Sequence, residues 1–153
     1  MRPSVDTQVG DLAGLDRLDW DAMAVFVPKD VRPLRGVAGF LDWRTNGALS
    51  RLLMSGTFSG EVGEVVLAPT RGRLGNRRCF LFGLGAVEEC QSDRLRQVSQ
   101  QAVAVLEKAR ATPCAFAAPS VPERPELETV FVQGLKKLQN PPQIVLISPA
   151  NPG

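Results

Sequence analysis

Histidine and tyrosine are absent from the 153-residue sequence. Without histidine there is no imidazole base, no Ser-His-Asp or Cys-His nucleophile and no His-ligated metal. Cysteine is scarce: Cys79, Cys90 and Cys114 form no close pair and no metal-ligand spacing. An odd count with no framework points to a reducing cytoplasm as the expected location. Long apolar runs are missing as well. The opening MRPSVDTQVG has no apolar stretch that could act as a signal peptide, and the longest run, AMAVFV at 22–27, is far short of the roughly 20 residues that cross a bilayer. No membrane role is expected. Excess charge is also lacking, since a net charge of +2 is too small to announce a nucleic-acid binder. The basic residues are arginine except Lys29, Lys108, Lys136 and Lys137, a bias read as the trace of a GC-rich genome.

What is present is a core-forming chain. Hydrophobic residues make up 44% and charged residues 22%, enough to bury one domain spanning 1–153. Residues 4–9 read as a weak strand, and 10–21 as a polar, Asp-rich connector. Met23 to Val27 is a continuous apolar run stopped by Pro28, as in a strand buried on both faces. Residues 34–55 read as helix, broken near Asn46-Gly47, with Gly56 as its stop. Glu64 to Ala68 and Cys79 to Leu84 read as strands joined by TRGRLGNRR, a hairpin or tight connection.

A long amphipathic helix follows, capped by Ser92 or Asp93, with Leu95, Val98, Ala102, Val105, Leu106 and Ala109 on one face. Thr112-Pro113 breaks it, and Cys114 to Ala118 is a short strand. Leu127, Val130, Phe131, Gly134, Leu135 and Leu138 mark a second amphipathic helix, and Gln143 to Ser148 a last buried strand. Strands alternating with helices imply parallel pairing with helices on both sides. The expected fold is a three-layer α/β/α sandwich on a mixed, mostly parallel sheet.

The stretch GALSRLLMSGTFSGEVGEVVLAPTRGRLGNRRCFLFGLG at 47–85 resembles the N-terminal domain of the leucyl (cytosol) aminopeptidase family. The elements that carry the resemblance are Gly47 to Leu53, Gly56 to Gly60, Gly63 to Thr70 and Phe80 to Gly85. The resemblance implies a macro-domain-like fold. It also implies that catalysis, two metal ions and the segment NTDAEGR belong to a separate C-terminal domain of that family. NTDAEGR does not occur in this sequence. The chain is therefore expected to be no enzyme and to need no cofactor. Its closing strand is read as favouring a stand-alone relative over a piece of something longer.

Candidate sites stand beside blander readings. Asp16, Asp19 and Asp21, Glu61 and Glu64, and Glu88-Glu89 fall on a connector, a turn and a loop, so no metal is assigned. Cys79 and Cys114 begin apolar strands and read as buried small hydrophobes. Cys90 precedes a helix N-terminus, which would lower its pKa, but no base is at hand to make it a nucleophile. Ligands of α/β sheets favour the crevice at the carboxyl ends of the strands. In macro-like folds, the resemblance implies, that crevice holds ADP-ribose-type ligands. If a pocket exists here, Thr70, Gly83, Gly85 and Ser120 should rim it. The Gly-rich phosphate loop of ADP-ribose binders is missing, and glycines needed only for a tight turn are the favoured reading.

Arg71, Arg73, Arg77 and Arg78 form the one dense basic cluster, suited to phosphates but also to guarding a sheet edge. Nucleic acid is not favoured as a partner. Trp43 falls off the inward face made by Val37, Phe40 and Leu41, and exposed tryptophan is enriched at interfaces. The blander alternative packs it under the connector at 10–21. The leading expectation is a non-catalytic binding or assembly module with a protein partner or as a homo-oligomer. The alternatives are a regulatory subunit or fragment of a zinc-dependent leucyl aminopeptidase, and a nucleotide-type ligand or nucleic-acid binder.

Overall fold

The computed structural model describes residues 5–149. Six strands form one sheet: β1 (Asp6–Val9), β2 (Ala22–Pro28), β3 (Val65–Leu67), β4 (Arg78–Gly85), β5 (Cys114–Ala117) and β6 (Ile144–Ile147). Their spatial order is β1-β6-β5-β2-β4-β3. Every pairing is parallel except that of β3 with β4. Five helices cover the sheet: α1 (Leu12–Arg17), α2 (Gly36–Arg44), α3 (Ala48–Ser55), α4 (Ser92–Lys108) and α5 (Glu126–Leu135). The expected sandwich and its antiparallel β3–β4 pair are both present.

β2 shows why an unbroken apolar run is needed. Strand side chains alternate between faces. Ala22, Ala24 and Phe26 enter one core with the buried faces of α4 and α5. Met23, Val25 and Val27 enter the other with Leu15, Val37, Leu41 and Leu49 of α1–α3. All seven residues of β2 are buried, so a polar residue at any of them would be stranded without water. β6 does the same with fewer residues: Val145 goes to the first core and Leu146 to the second.

Several expected boundaries shift. The connector at 10–21 contains α1, because Asp11 caps it by accepting from Gly14 N–H at 2.7 Å. α2 starts at Gly36, after cis-Pro33, Leu34 and Arg35. α2 and α3 separate at Asn46-Gly47, where both residues have positive φ, 59° and 83°. The N-cap of α4 is Gln91, not Ser92 or Asp93. On α4, Leu95, Val98, Ala102 and Leu106 are buried, whereas Val105, and Ala109 at the C-cap, are half-buried. Leu138 lies past the end of α5 but is still buried. Ser4, and the tail after Pro149, lie outside the described residues.

Candidate functional site

The carboxyl ends of the parallel strands are the natural place to look for a ligand. Here the chain's own backbone lies across them. Gly83, near the end of β4, sits against the loop at 60–61: a Cβ there would fall 1.9 Å from the Glu61 carbonyl oxygen. The loop is held by Gly85 N–H donating to Gly60 O at 2.8 Å and by the Lys29–Glu61 ion pair at 3.3 Å. Glu64 fixes the same turn, accepting from the Ser59 hydroxyl and from the Glu61 N–H at 2.7 Å. Next along the edge, Gly36 covers β5 and β6. With φ of 60°, its missing Cβ would lie 2.6 Å from Ser120 Cβ and 2.7 Å from Ser148 Oγ. Ser148 Oγ is buried with no hydrogen-bond partner among the described residues. The space left between β2, β5 and the 31–38 segment is about 10 Å³. That is room for one water, not for a ligand, since ligand pockets run to about 300–1,000 Å³. Outside this seal a depression of about 290 Å³ is lined by Asp30, Val31, Arg32, Arg35, Val87 and the 122–123 turn.

The four residues expected to rim a pocket do not converge. Gly85 and Ser120 are at this edge, and Gly83 lies just inside it under Glu61. Thr70 is at the opposite end of the sheet. It follows β3, and β3 runs antiparallel to β4, so leaving β3 returns the chain to the edge where β4 begins.

The basic cluster is half consumed internally. Arg77 stacks over Trp20 with its guanidinium carbon 4.7 Å from the ring centroid, and donates to Leu15 O at 3.0 Å and Leu18 O at 2.9 Å. Arg78 pairs with Asp21 at 2.9 Å and donates to Ala109 O at 3.1 Å. Arg71 and Arg73 are exposed on the turn. Arg77 therefore ties the hairpin to α1, Arg78 ties it to Asp21 and the end of α4, and two arginines are left facing solvent.

The carboxylates do not converge either. Asp16 pairs with Arg44 and Glu89 with Arg94, and among the described residues no group of three acidic or cysteine side chains could hold a metal. Burial pushes the Cys79 thiol up to about 12. Cys90 corrects the expectation of a lowered pKa. It is fully buried, donates weakly to Ala86 O, and burial pushes its thiol up despite Arg94 and Arg124 nearby. The Cys114 thiol is raised by burial too, and donates to Gln143 Oε1 at 3.2 Å.

Trp43 is 73% exposed, so it does not pack beneath the segment at 10–21. It stands at one end of a groove of about 430 Å³ whose other end is Arg35. Gly39 lies midway between them, and Leu12, Leu34 and Phe40 supply apolar walls. Positions 35, 39 and 43 are four apart and so form one stripe along α2. The sequence reading found Trp43 but missed Arg35, Gly39 and Leu12; the spacing of four was visible, and the contribution of α1 was not. Two further cavities of about 430 and 560 Å³ open at the other end of the sheet, between α4 and the 138–143 segment.

The architecture and its edge define a macrodomain-like α/β sandwich. The macrodomain of Thermus aquaticus DarG matches 94% of this chain and 98% of that one, with a TM-score of 0.58 and 17% identity. The Oceanobacillus iheyensis macrodomain with ADP matches 95% and 85%, with a TM-score of 0.61 and 13% identity. A mutant of tomato leucine aminopeptidase matches 99% of this chain but 34% of that one, with a TM-score of 0.62 and 19% identity. At these identities the likeness is one of fold.

Sequence gives the family. Residues 23–133 match the family model "Cytosol aminopeptidase family, N-terminal domain", and the chain belongs to that family. Probable cytosol aminopeptidases of Alkaliphilus metalliredigens (strain QYMF) and Geotalea uraniireducens (strain Rf4) are 30% identical over 91 residues and 42% over 66. Those matches cover 60% and 43% of this chain, but only 18% and 13% of the two relatives. The chain thus spans less than a fifth of the curated relatives it matches, and the match is to the family's N-terminal domain alone. No described helix is long and apolar enough to cross a membrane.

Proposed function

We propose that this chain is a non-catalytic binding module that acts through protein contacts on its α2 face. The observation that carries the reading is a contrast in accessibility. At the carboxyl ends of the strands about 10 Å³ remains between β2 and β5, with a depression of about 290 Å³ outside it, while Trp43 stands 73% exposed over a groove of about 430 Å³. A large exposed aromatic beside apolar walls is what interface centres are made of. The absence of histidine from the sequence and the raised thiol of each cysteine support a role without chemistry.

The test is light scattering and affinity purification from the native cell, on wild type and Trp43→Ala. A partner or oligomer that the wild type retains and Trp43→Ala loses supports the reading. A wild type that stays monomeric and recovers no partner overturns it. So does a clear melting shift with ADP-ribose, which would assign the sheet edge to a nucleotide-type ligand instead.

A further inference from the structure

We propose that β3 is a self-pairing edge: two copies of this chain join antiparallel along it across a two-fold axis, with Val65 of each copy opposite Leu67 of the other. The surface is separate from the α2 face, and the proposal goes beyond the protein-contact reading made there.

β3 is the last strand in the sheet order, so one of its edges is open. Its hydrogen bonds to β4 fall on alternate residues: Gly83 N–H donates to Glu64 O at 3.1 Å and Ala68 N–H to Cys79 O at 2.8 Å. The backbone groups of Val65 and Leu67 therefore point away from β4, to the open edge. The strand at the opposite end of the sheet, β1, is less suited. α1 is packed against it, since a Cβ on Gly14 would fall 2.3 Å from Val9 O, and its exposed Asp6 and Thr7 are polar. On β3 the side chains are apolar. Val65 packs on the α4–α5 core and Val66 on the other, both half-buried. Leu67 lies on the Val65 side and is 52% exposed.

The flanking residues select the register. Centring the pair on Leu67 would set Val65 against Pro69, which has no N–H to donate. Centring it on Val65 would set Leu67 against Gly63, which has φ of 96° in a turn and a carbonyl that already accepts from Gln101 Nε2 at 3.4 Å. Centring it on Val66 leaves no such conflict. Each Val65–Leu67 pair then exchanges both of its N–H to O bonds, Leu67 covers the second copy's Val65, and Val66 meets Val66 at a non-hydrogen-bonded pair, where side chains come closest.

Charge favours a second copy as the occupant. Glu61 and Glu64 precede β3, and Arg71 and Arg73 follow it. Both arginines are exposed and have no ion pair among the described residues. Glu61 has one exposed pair, with Lys29, and Glu64 is held by hydrogen bonds. Antiparallel pairing sets the acidic end of each β3 beside the basic end of the other. Charges that guard an edge against other strands thus favour its own copy.

The experiment is sedimentation velocity on the full chain over a concentration series, where wild type should show a reversible monomer–dimer equilibrium. Leu67→Lys should weaken the dimer about thirtyfold or more, as for loss of an interface anchor. Arg71→Glu with Arg73→Glu should weaken it roughly threefold to tenfold, and so should Glu61→Arg. Mixing these two variants should restore association, because both charge contacts are again of opposite sign. On a Cys114→Ser background, mild oxidation should link Val66→Cys into a disulfide dimer, whereas Leu67→Cys, which does not face its own copy, should link far more slowly. Trp43→Ala should leave the dimer unchanged. Circular dichroism checks that each variant is folded.

A wild type that is monomeric throughout the series overturns the proposal. So does a mixture that recovers nothing, or Leu67→Cys linking as fast as Val66→Cys. A dimer that survives Leu67→Lys but is lost in Trp43→Ala also overturns it, while supporting the contact on the α2 face. A dimer lost in Leu67→Lys and kept in Trp43→Ala supports the β3 edge and leaves the α2 face to be judged by its own partner.

Discussion

The two faces of the sheet are made from alternate residues of the same strands, yet they are finished differently. On the α4–α5 face, Phe26 is the centre of an aromatic cluster, with ring centroids 5.7, 5.3 and 4.9 Å from Phe82, Phe116 and Phe131. The 17-residue α4 covers it, and no large hydrophobic of α4 or α5 is exposed. On the other face three helices of six, nine and eight residues do the covering. Trp43 and Met54, on α2 and α3, stand 73% and 86% exposed there. The tryptophans repeat the contrast within that face: Trp20 is buried and donates to Leu15 O at 3.0 Å, whereas Trp43 points outward. One face is a closed core. The other leaves two large apolar side chains outside its own packing.

The largest expected effect removes the difference by destroying both faces. β6 lies between β1 and β5 and supplies one buried residue to each core. A chain ending after Asn140 should be insoluble or molten, seen as loss of a cooperative melt; a cooperative transition like the full chain's would contradict the two-core account. Next is Phe26→Ala, which leaves a hole among three rings. It should cost about 3–5 kcal/mol in urea unfolding; a loss below about 1 kcal/mol would mean that the aromatic cluster is not the centre of that core.

Acid should act outside both cores, because among the described residues the buried polar or charged ones are Thr45 and Ser99, neither of which titrates with acid. One responsive group is Glu64. Slight burial raises its pKa, but hydrogen bonds from the Ser59 hydroxyl and the Glu61, Ser59 and Gly60 backbone outweigh this and hold it below the usual value. A depressed pKa contributes stability that is present above the unfolded-state value, about 4.3, and fades as pH falls through the folded-state value. Glu64→Gln should flatten that part of the pH–stability curve; an unchanged slope would contradict the role given to Glu64.

The smallest effect is Trp43→Ala. At 73% exposure it should leave stability within about 0.5 kcal/mol of wild type. A loss near that of Phe26→Ala would erase the difference between the faces.

Much of the fold was legible because periodicity reports burial. The continuous run of β2, the stripe of α4 and the break at Asn46-Gly47 each follow from local rules of side-chain direction and backbone sterics. α1 was missed because six residues with few apolar positions give almost no periodic signal. The site was less legible. Thr70 was placed at the wrong end of the sheet because a strand's direction depends on its neighbour, which local sequence does not encode. Arg77 and Arg78 looked like a free patch because their acceptors lie about sixty residues away in sequence.

By itself the sequence determined the order of the strands and of the longer helices, the two apolar faces of β2, the family resemblance at 47–85 and the exclusion of imidazole chemistry. These depend on residue identity and spacing over a few turns. Only the tertiary structure decided that the strand ends are sealed and that Arg35, Gly39 and Trp43 share a groove with Leu12. Those facts depend on which distant segments come within van der Waals contact, as the Glu61 backbone does at Gly83 and the Ser120 side chain at Gly36. Such contacts are set by the packing of whole elements, where two segments far apart in sequence compete for the same few ångströms.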